Sequence, residues 1–310
     1  MTLDVSIVGE INLDLLLYGL PDTMPLEREL MASDFRMTLG SSSAILAHNL
    51  AALGSRVGFT TCVGPDPMGR IALEYLRDRG VDLSHVFPSP NGTSTGVTLL
   101  LPHGRERHIL TYPGTMAELR YADLDQAFLR SAKHFHLSSL YLQPGLFPDV
   151  PRLFREMKSA GLTTSLDTND DPDDRYEGLA EIFPHLDIFF PNAREACRIA
   201  GAGETKEAIE CLAGRVPMLV VKLGAQGALL RQGPRKIEAA GNLVTVVDTV
   251  GAGDSFNAGF LQKFVQGAPP EECLCFANRV AAHSTTAAGG VEAFRDRERL
   301  RELLAYRGNQ

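Results

Sequence analysis

Asp248-Thr249-Val250-Gly251-Ala252-Gly253-Asp254-Ser255-Phe256 is the stretch on which the fold and the chemistry turn. It follows a β-branched run at 243–247 and leads into a helical pattern that begins at Gly253 or Asp254. The glycines let backbone amides converge at a helix N-terminus. Those amides lack helical partners and the helix dipole adds positive potential, so the turn makes a pocket for an anion. Asp254 stands beside that pocket. The amides help its carboxylate stay ionised, yet it can take a proton from a hydroxyl. Phosphoryl transfer needs this pairing of a base with dipoles aimed at the migrating group. An aspartate merely capping a helix after a glycine turn is the plainer alternative. The Asp248-Thr249 prefix and the long helix that follows favour the chemical reading.

Upstream of this segment, short apolar runs alternate with longer amphipathic ones. Strand-like runs fall at 5–8, 57–62, 134–137, 163–166, 188–190 and 218–222, and helix-like stretches at 42–53, 68–79, 148–160, 194–200 and 204–215. Strands separated by helices predict an α/β fold, with a central, mostly parallel sheet covered by helices on both faces. Two regions break the rhythm, about 11–39 and about 93–112. The second reads as a β-hairpin, with 96–101 and 108–111 joined through His103-Gly104. Neither region is long enough for a helical crossover, so both are expected to leave the main sheet as strands of a small lid. Downstream, 253–265, 270–287 and 296–306 read as helices. With no repeat and no linker, residues 1–310 read as one domain with a lid.

Composition narrows the function. The chain has 310 residues, 44% of them hydrophobic, and a formal net charge of -8. That balance gives no electrostatic footprint for nucleic acid, and an anionic substrate would need a local basic or amide-lined site. The five cysteines form no paired motif, which fits reduced thiols in a cytoplasmic protein. No apolar run is long enough to span a membrane. There is no Gly-x-Gly-x-x-Gly after the first strand and no Walker lysine motif. His134 and His136 share one face of a strand but have no third metal ligand nearby in sequence. Arg105, Arg107, His103 and His108 sit in the lid hairpin, where they could meet a substrate carboxylate or phosphate or simply hydrate the lid.

The motif resembles the C-terminal signature of the PfkB-type (ribokinase-like) carbohydrate kinases. Four further blocks resemble that family in its order: 9–14, 40–54, Pro191-Asn192-Ala193-Arg194-Glu195, and 220–227. The resemblance implies a ribokinase-like three-layer fold and ATP-dependent transfer of the γ-phosphate to a primary hydroxyl of a sugar or sugar-like molecule. It implies Asp254 as the catalytic base, with Gly251, Ala252 and Gly253 lining the hole for the migrating phosphoryl. Asn12 and Asp14 would hold sugar hydroxyls, while Gly40 and Ser41 would bring backbone close to the sugar. Asn192 and Glu195 would organise Mg2+, mostly through water. Lys222, Gly224 and Asn278 would lie near the nucleotide. A monovalent cation near Asp248 and a homodimer through the lid are left open.

Some positions depart from the family's pattern. The first signature opens Gly40-Ser41 rather than Gly-Gly. Ser42 stands where ribokinases proper tend to have lysine, and Ile45 where many sugar kinases have asparagine. Val250 replaces the usual Thr or Ser, and Asp167-Thr168-Asn169 lacks the proline of Asp-Pro-Asn. A nucleoside kinase of the same fold is the nearest alternative, with Phe35 and Tyr112 available to line a base pocket. A non-catalytic sugar-binding regulatory homologue is another, and retention of Asp254 argues against it.

Overall fold

The computed structural model describes residues 2–21, 23–103 and 106–305. Among the described residues fourteen strands follow in chain order: β1 (Leu3–Val8), β2 (Asn12–Tyr18), β3 (Asp34–Leu39), β4 (Val57–Thr60), β5 (Cys62–Val63), β6 (Phe87–Pro88), β7 (Gly96–His103), β8 (Glu106–Tyr112), β9 (Ala132–Ser138), β10 (Thr163–Asp167), β11 (Ile188–Phe189), β12 (Met218–Lys222), β13 (Ala228–Gln232) and β14 (Arg235–Ala239). Eight of them form the main sheet in the order β14-β13-β12-β11-β10-β9-β1-β4. The pairs from β4 through to β12 are parallel, and β13 and β14 add an antiparallel edge. That edge hairpin turns at Gly233, whose φ of 56° suits glycine. Sequence periodicity had not marked it.

Side-chain alternation along the strands feeds two cores. Ile188, Phe190, Val220 and Leu230 face helices Ser42–Ala52, Ala252–Phe264 and Pro270–Ser284. Phe189, Leu219, Val221 and Leu229 face helices Val150–Ser159, Ala193–Ala200 and Thr205–Ala213. A sheet buried on both sides is why its strands read as continuous apolar runs. One buried stripe is polar. His134 and His136 do share a face, and there they are bonded in a row to Thr163, Ser165 and Ser138 at 2.6–2.8 Å. Burial pushes both imidazoles down to about 3, so they are neutral packing groups. Among the described residues no cluster of three or more metal-ligating side chains occurs.

The two irregular regions supply a separate four-stranded sheet in the order β3-β2-β7-β8. Register sorts its faces. Asp14 pairs with Thr38 and Thr98, and Thr98 with Thr111, so these side chains share the inner face. Leu15 pairs with Met37 and Leu99, and Leu99 with Leu110, which places them together on the outer face. Phe35 and Tyr112, of the same parity, are about half exposed on that outer face. A pocket role for them as base-stacking groups is therefore not what this geometry offers. Arg105 and Tyr306 lie outside the described residues.

The β-branched run at 243–247 does not become a strand. Leu243 is fully exposed and Val246 and Val247 more than half so, while the Val247 and Asp248 amides donate to the Thr285 carbonyl. High β-propensity without a sheet edge to pair with leaves the segment irregular. Among the described residues, no helix is long and apolar enough to cross a membrane.

Candidate active site

The motif helix, Ala252–Phe264, begins after Gly251 at φ 68°. A side chain at Gly251 would be strained by that φ and would also meet the Gly290 backbone at 2.6 Å. Asp248 holds the turn shut: one carboxylate oxygen accepts the Val250 amide at 3.0 Å and the other the Gly289 amide at 2.9 Å. The Ala252 amide is partly engaged by the Thr249 carbonyl at 3.3 Å. Those of Gly253 and Asp254 fall in the first turn, where no helical carbonyl lies behind them.

A cavity of about 860 Å³ opens between this turn, the C-terminal ends of the main-sheet strands and the inner face of the second sheet. Asn12, Asp14, Ser41, Asn192, Glu195, Lys222, Gly224, Gly251, Ala252, Gly253 and Asp254 all line it. Of the other expected residues, Gly40 sits directly behind Asn12 and Asp14: a Cβ there would lie 2.1 Å from Asp14 Oδ1 and 2.3 Å from Asn12 Oδ1. Asn278 does not line the cavity. Its Nδ2 donates to the Ala239 and Ala240 carbonyls at 2.9 and 3.1 Å, so it anchors the chain leaving β14.

At the inner face of the second sheet, Asn12 Nδ2 donates to Thr98 Oγ1 at 2.7 Å, leaving Asn12 Oδ1 buried with no protein partner. Asp14 is 5% exposed. Burial, with the charges of Asp254 and Asp248, pushes its carboxyl up to about 7, and Arg107 partly offsets this. Buried polar groups are normally bonded, so two acceptors side by side at Gly40 favour a ligand rich in hydroxyl donors. Ser41, at φ 70°, donates to the Glu10 carbonyl at 2.6 Å and accepts the Ala44 amide at 3.2 Å. It is a cap for the helix that follows, and it holds the turn near the ligand by its backbone.

Lys222 ends β12 and is a buried ion-pair partner, not a surface lysine. Its Nζ and Asn257 Nδ2 each reach Asp167 Oδ2 at 2.5 Å. Burial alone would pull Lys222 down, but Asp167 and Glu195 hold its ammonium above the ordinary value. Asn192 and Glu195 form a reciprocal capping box on helix Ala193–Ala200, with bonds of 2.8, 2.5 and 2.9 Å. Burial, then the charge of Asp167, pushes Glu195 up to about 7. Asp254 is 6% exposed. Burial and Asp167 push it up to about 6, against the opposing pull of Lys222.

Sequence reasoning had not assigned Thr98, Asp167, Asn169 or Asn257 to the site. Asn169 carried a weak signal, because it closes the Asp167-Thr168-Asn169 segment already noted. Val250 packs with Leu16 and Leu100, tying the motif to the second sheet.

The arrangement is that of a known family. The model of the pfkB family carbohydrate kinases matches residues 2–297, and the chain belongs to that family, whose members are phosphotransferases with an alcohol group as acceptor. It is 30% identical over 322 residues to a ribokinase of Arabidopsis thaliana, covering 97% of this chain and 80% of that one. It is 28% identical over 289 residues to the 2-dehydro-3-deoxygluconokinase of Bacillus subtilis, covering 88% of each. The solved structure of Arabidopsis thaliana ribokinase complexed with ribose and ATP matches with a TM-score of 0.85 at 25% identity, over 99% of this chain and all of that one. The fold is therefore ribokinase-like.

Proposed function

We propose that the protein transfers the γ-phosphoryl group of ATP to a primary hydroxyl of a sugar or sugar-like molecule, with Asp254 as base. One observation carries the reading. A buried carboxylate stands in the first turn of the motif helix, in the same cavity as the unpartnered acceptor Asn12 Oδ1 and the buried carboxyl of Asp14. The acceptor's other hydroxyls donate to Asn12 and Asp14, which turns the reacting hydroxyl toward Asp254. As its oxygen bonds to the γ-phosphorus, its proton passes to the Asp254 carboxylate and the bond to ADP breaks. The amides at Gly253 and Asp254 stabilise charge on the transferring oxygens. The residues present suit Mg2+ bound largely through water and phosphate, because Glu195 is a buried carboxylate with Asn192 beside it. The ion's contribution is to neutralise phosphate charge.

A sugar is favoured over a nucleoside because Phe35 and Tyr112 face away from the cavity. We also infer that a second copy of the chain covers the outer face of the lid sheet. The row Met37, Leu15, Leu99 and Leu110 is continuous across four strands, and Leu110 is 54% exposed. Monomers rarely leave such a face bare.

ADP formation measured over a panel of sugars, sugar acids and nucleosides tests the activity, together with Asp254→Asn. The variant is expected to bind ligands but to lose on the order of 10²-fold or more in kcat. Near-normal turnover by it would remove Asp254 as base. Tight ligand binding by the wild type without turnover on any acceptor would instead favour a regulatory binding protein.

A further inference from the structure

The anion-binding turn is supported from behind. Gly251 stands against Gly290, so close that a Cβ on Gly251 would lie 2.6 Å from the Gly290 Cα, and Ile45 packs on both glycines. Asn49 lies one turn further along helix Ser42–Ala52, on the same face as Ile45. Its amide uses both protons: Nδ2 donates to the Gly290 carbonyl and to Ser255 Oγ, each at 3.0 Å. The carbonyl can only accept, which fixes the flip of the amide and turns Oδ1 toward His48. His48 Nδ1 lies 2.8 Å from that oxygen, so Nδ1 carries the imidazole proton and Nε2 accepts from Arg79 Nε at 3.3 Å. Arg79, just past helix Pro67–Arg77, is anchored in turn by donating from Nη2 to the Phe294 carbonyl at 2.9 Å. His48 and Asn49 are both buried, and burial pushes the imidazole down to about 3, which keeps it neutral, as this chain of bonds requires.

We propose that Asn49, its amide locked by His48 and Arg79, is a positioning residue for phosphoryl transfer: it clamps the segment behind the anion-binding turn to the first turn of the motif helix, and so fixes the separation between the turn's amides and Asp254. The inference rests on the kinase reading above. Gly290 lies behind Gly251, and Ser255 follows Asp254, so one side-chain amide spans both ends of the working turn. Two backbone contacts run parallel to it. Asp248 accepts the Gly289 amide at 2.9 Å, and the Ser255 amide donates to the Gly251 carbonyl at 2.9 Å. Without the clamp, the amides and the base would still be present but no longer held at one separation. Phosphoryl transfer is sensitive to such a displacement, because both groups must meet the same reacting centre. The amide is needed, not merely its shape. A carboxylate in its place would turn lone pairs toward the Gly290 carbonyl and leave that carbonyl without its donor.

The test uses Asn49→Ala, Asn49→Asp and His48→Ala in the full chain, with Leu153→Ala as a control. Leu153 is fully buried on helix Val150–Ser159, in the core on the other face of the sheet, so its truncation lowers global stability without touching the clamp. Two readouts are taken well below every variant's Tm: steady-state kinetics, and amide hydrogen exchange of the ligand-free protein over 248–256 and 286–292. Asn49→Ala is expected to lower kcat by roughly ten-fold or more with a much smaller change in either KM, and to speed exchange in both segments by roughly ten-fold or more beyond the control. Asn49→Asp should be at least as impaired, and His48→Ala, which frees the amide to flip, should move both readouts the same way by less. Leu153→Ala should keep near-normal kcat. Asn49→Ala with wild-type kcat, exchange no faster than in the control, or an aspartate variant as active as wild type overturns the proposal. If Asn49→Ala does not fold, His48→Ala is judged against the control in the same way. The exchange measurement needs no turnover, so a wild-type chain inactive on every acceptor would sink the kinase reading while the clamp was still judged.

Discussion

Asp14→Asn should make the ligand-free protein more stable at neutral pH while destroying its grip on the acceptor. The folded state raises the Asp14 carboxyl from 3.8 to about 7, chiefly by burial and then by the charges of Asp254 and Asp248. A carboxyl raised on folding contributes stability that is complete below its unfolded value. That stability is lost as pH rises through the folded one. Each unit corresponds to about 1.4 kcal/mol, so ionised Asp14 costs the fold about 4 kcal/mol above pH 7, of which about 3 accrue between pH 4.5 and 8. The amide of asparagine is neutral throughout but leaves polar atoms unpaired, which returns about 1–2 kcal/mol of the gain. The net expectation is a variant about 2 kcal/mol more stable at pH 8, or about 4 °C in Tm for a chain of this size. That advantage should shrink or vanish at pH 4.5. Scanning calorimetry at both pH values, with and without a sugar that serves as substrate, reads the effect. The wild type should gain Tm from the sugar and Asp14→Asn should not. A variant no more stable than wild type at pH 8, or one whose advantage is the same at both pH values, would refute the reasoning.

Gly40→Ala places a methyl group against Asp14 Oδ1 and Asn12 Oδ1. It should raise the acceptor KM by about ten-fold or more while leaving nucleotide affinity near wild type, as steady-state kinetics with either substrate varied will show. Leu110→Glu puts a charge in the outer face of the lid sheet. If a second copy covers that face, the wild type should sediment as a dimer and this variant as a monomer; a wild type that is monomeric at micromolar concentration would dismiss the dimer.

Much of this molecule was legible because its signals are local. The alternation of strand-like and helix-like runs reports burial on both faces of a parallel sheet, and Gly251 reports a backbone conformation that a side chain would strain. Asn12 and Asp14 were legible as a pair because strand alternation alone puts them on one face. What was not legible has a different cause. Nothing local to 243–247 says that no strand edge waits for it. Asn278 has the residue type of a ligand group, but which carbonyls it meets depends on how β14 ends. Phe35 and Tyr112 looked like lid aromatics until the register set their parity against that of Asp14. Lys222 reads in sequence as a residue near the nucleotide, and only the fold shows that its ammonium is already paired with Asp167.

The electrostatics of the cavity explain why the ligand-free site is costly and why its ligands should bind with complementary chemistry. Glu10, Asp14, Asp170, Glu195 and Asp254 line it, against Arg107 and Lys222. Lys222 is already committed to Asp167, and Arg107 lies 3.8 Å from Asp248 with a hydrogen bond to Thr249. Burial therefore leaves Asp14 and Glu195 near 7 and Asp254 near 6, each poised between forms. Hydroxyl donors from a sugar favour ionised Asp14, and a hard cation arriving with the nucleotide would favour ionised Glu195. Asp254 differs from both, because a base that a ligand held fully ionised would lose its affinity for a proton. A neutral hydroxyl donor would orient it without neutralising it. A cationic side chain in the same place would grip harder and yield a weaker base.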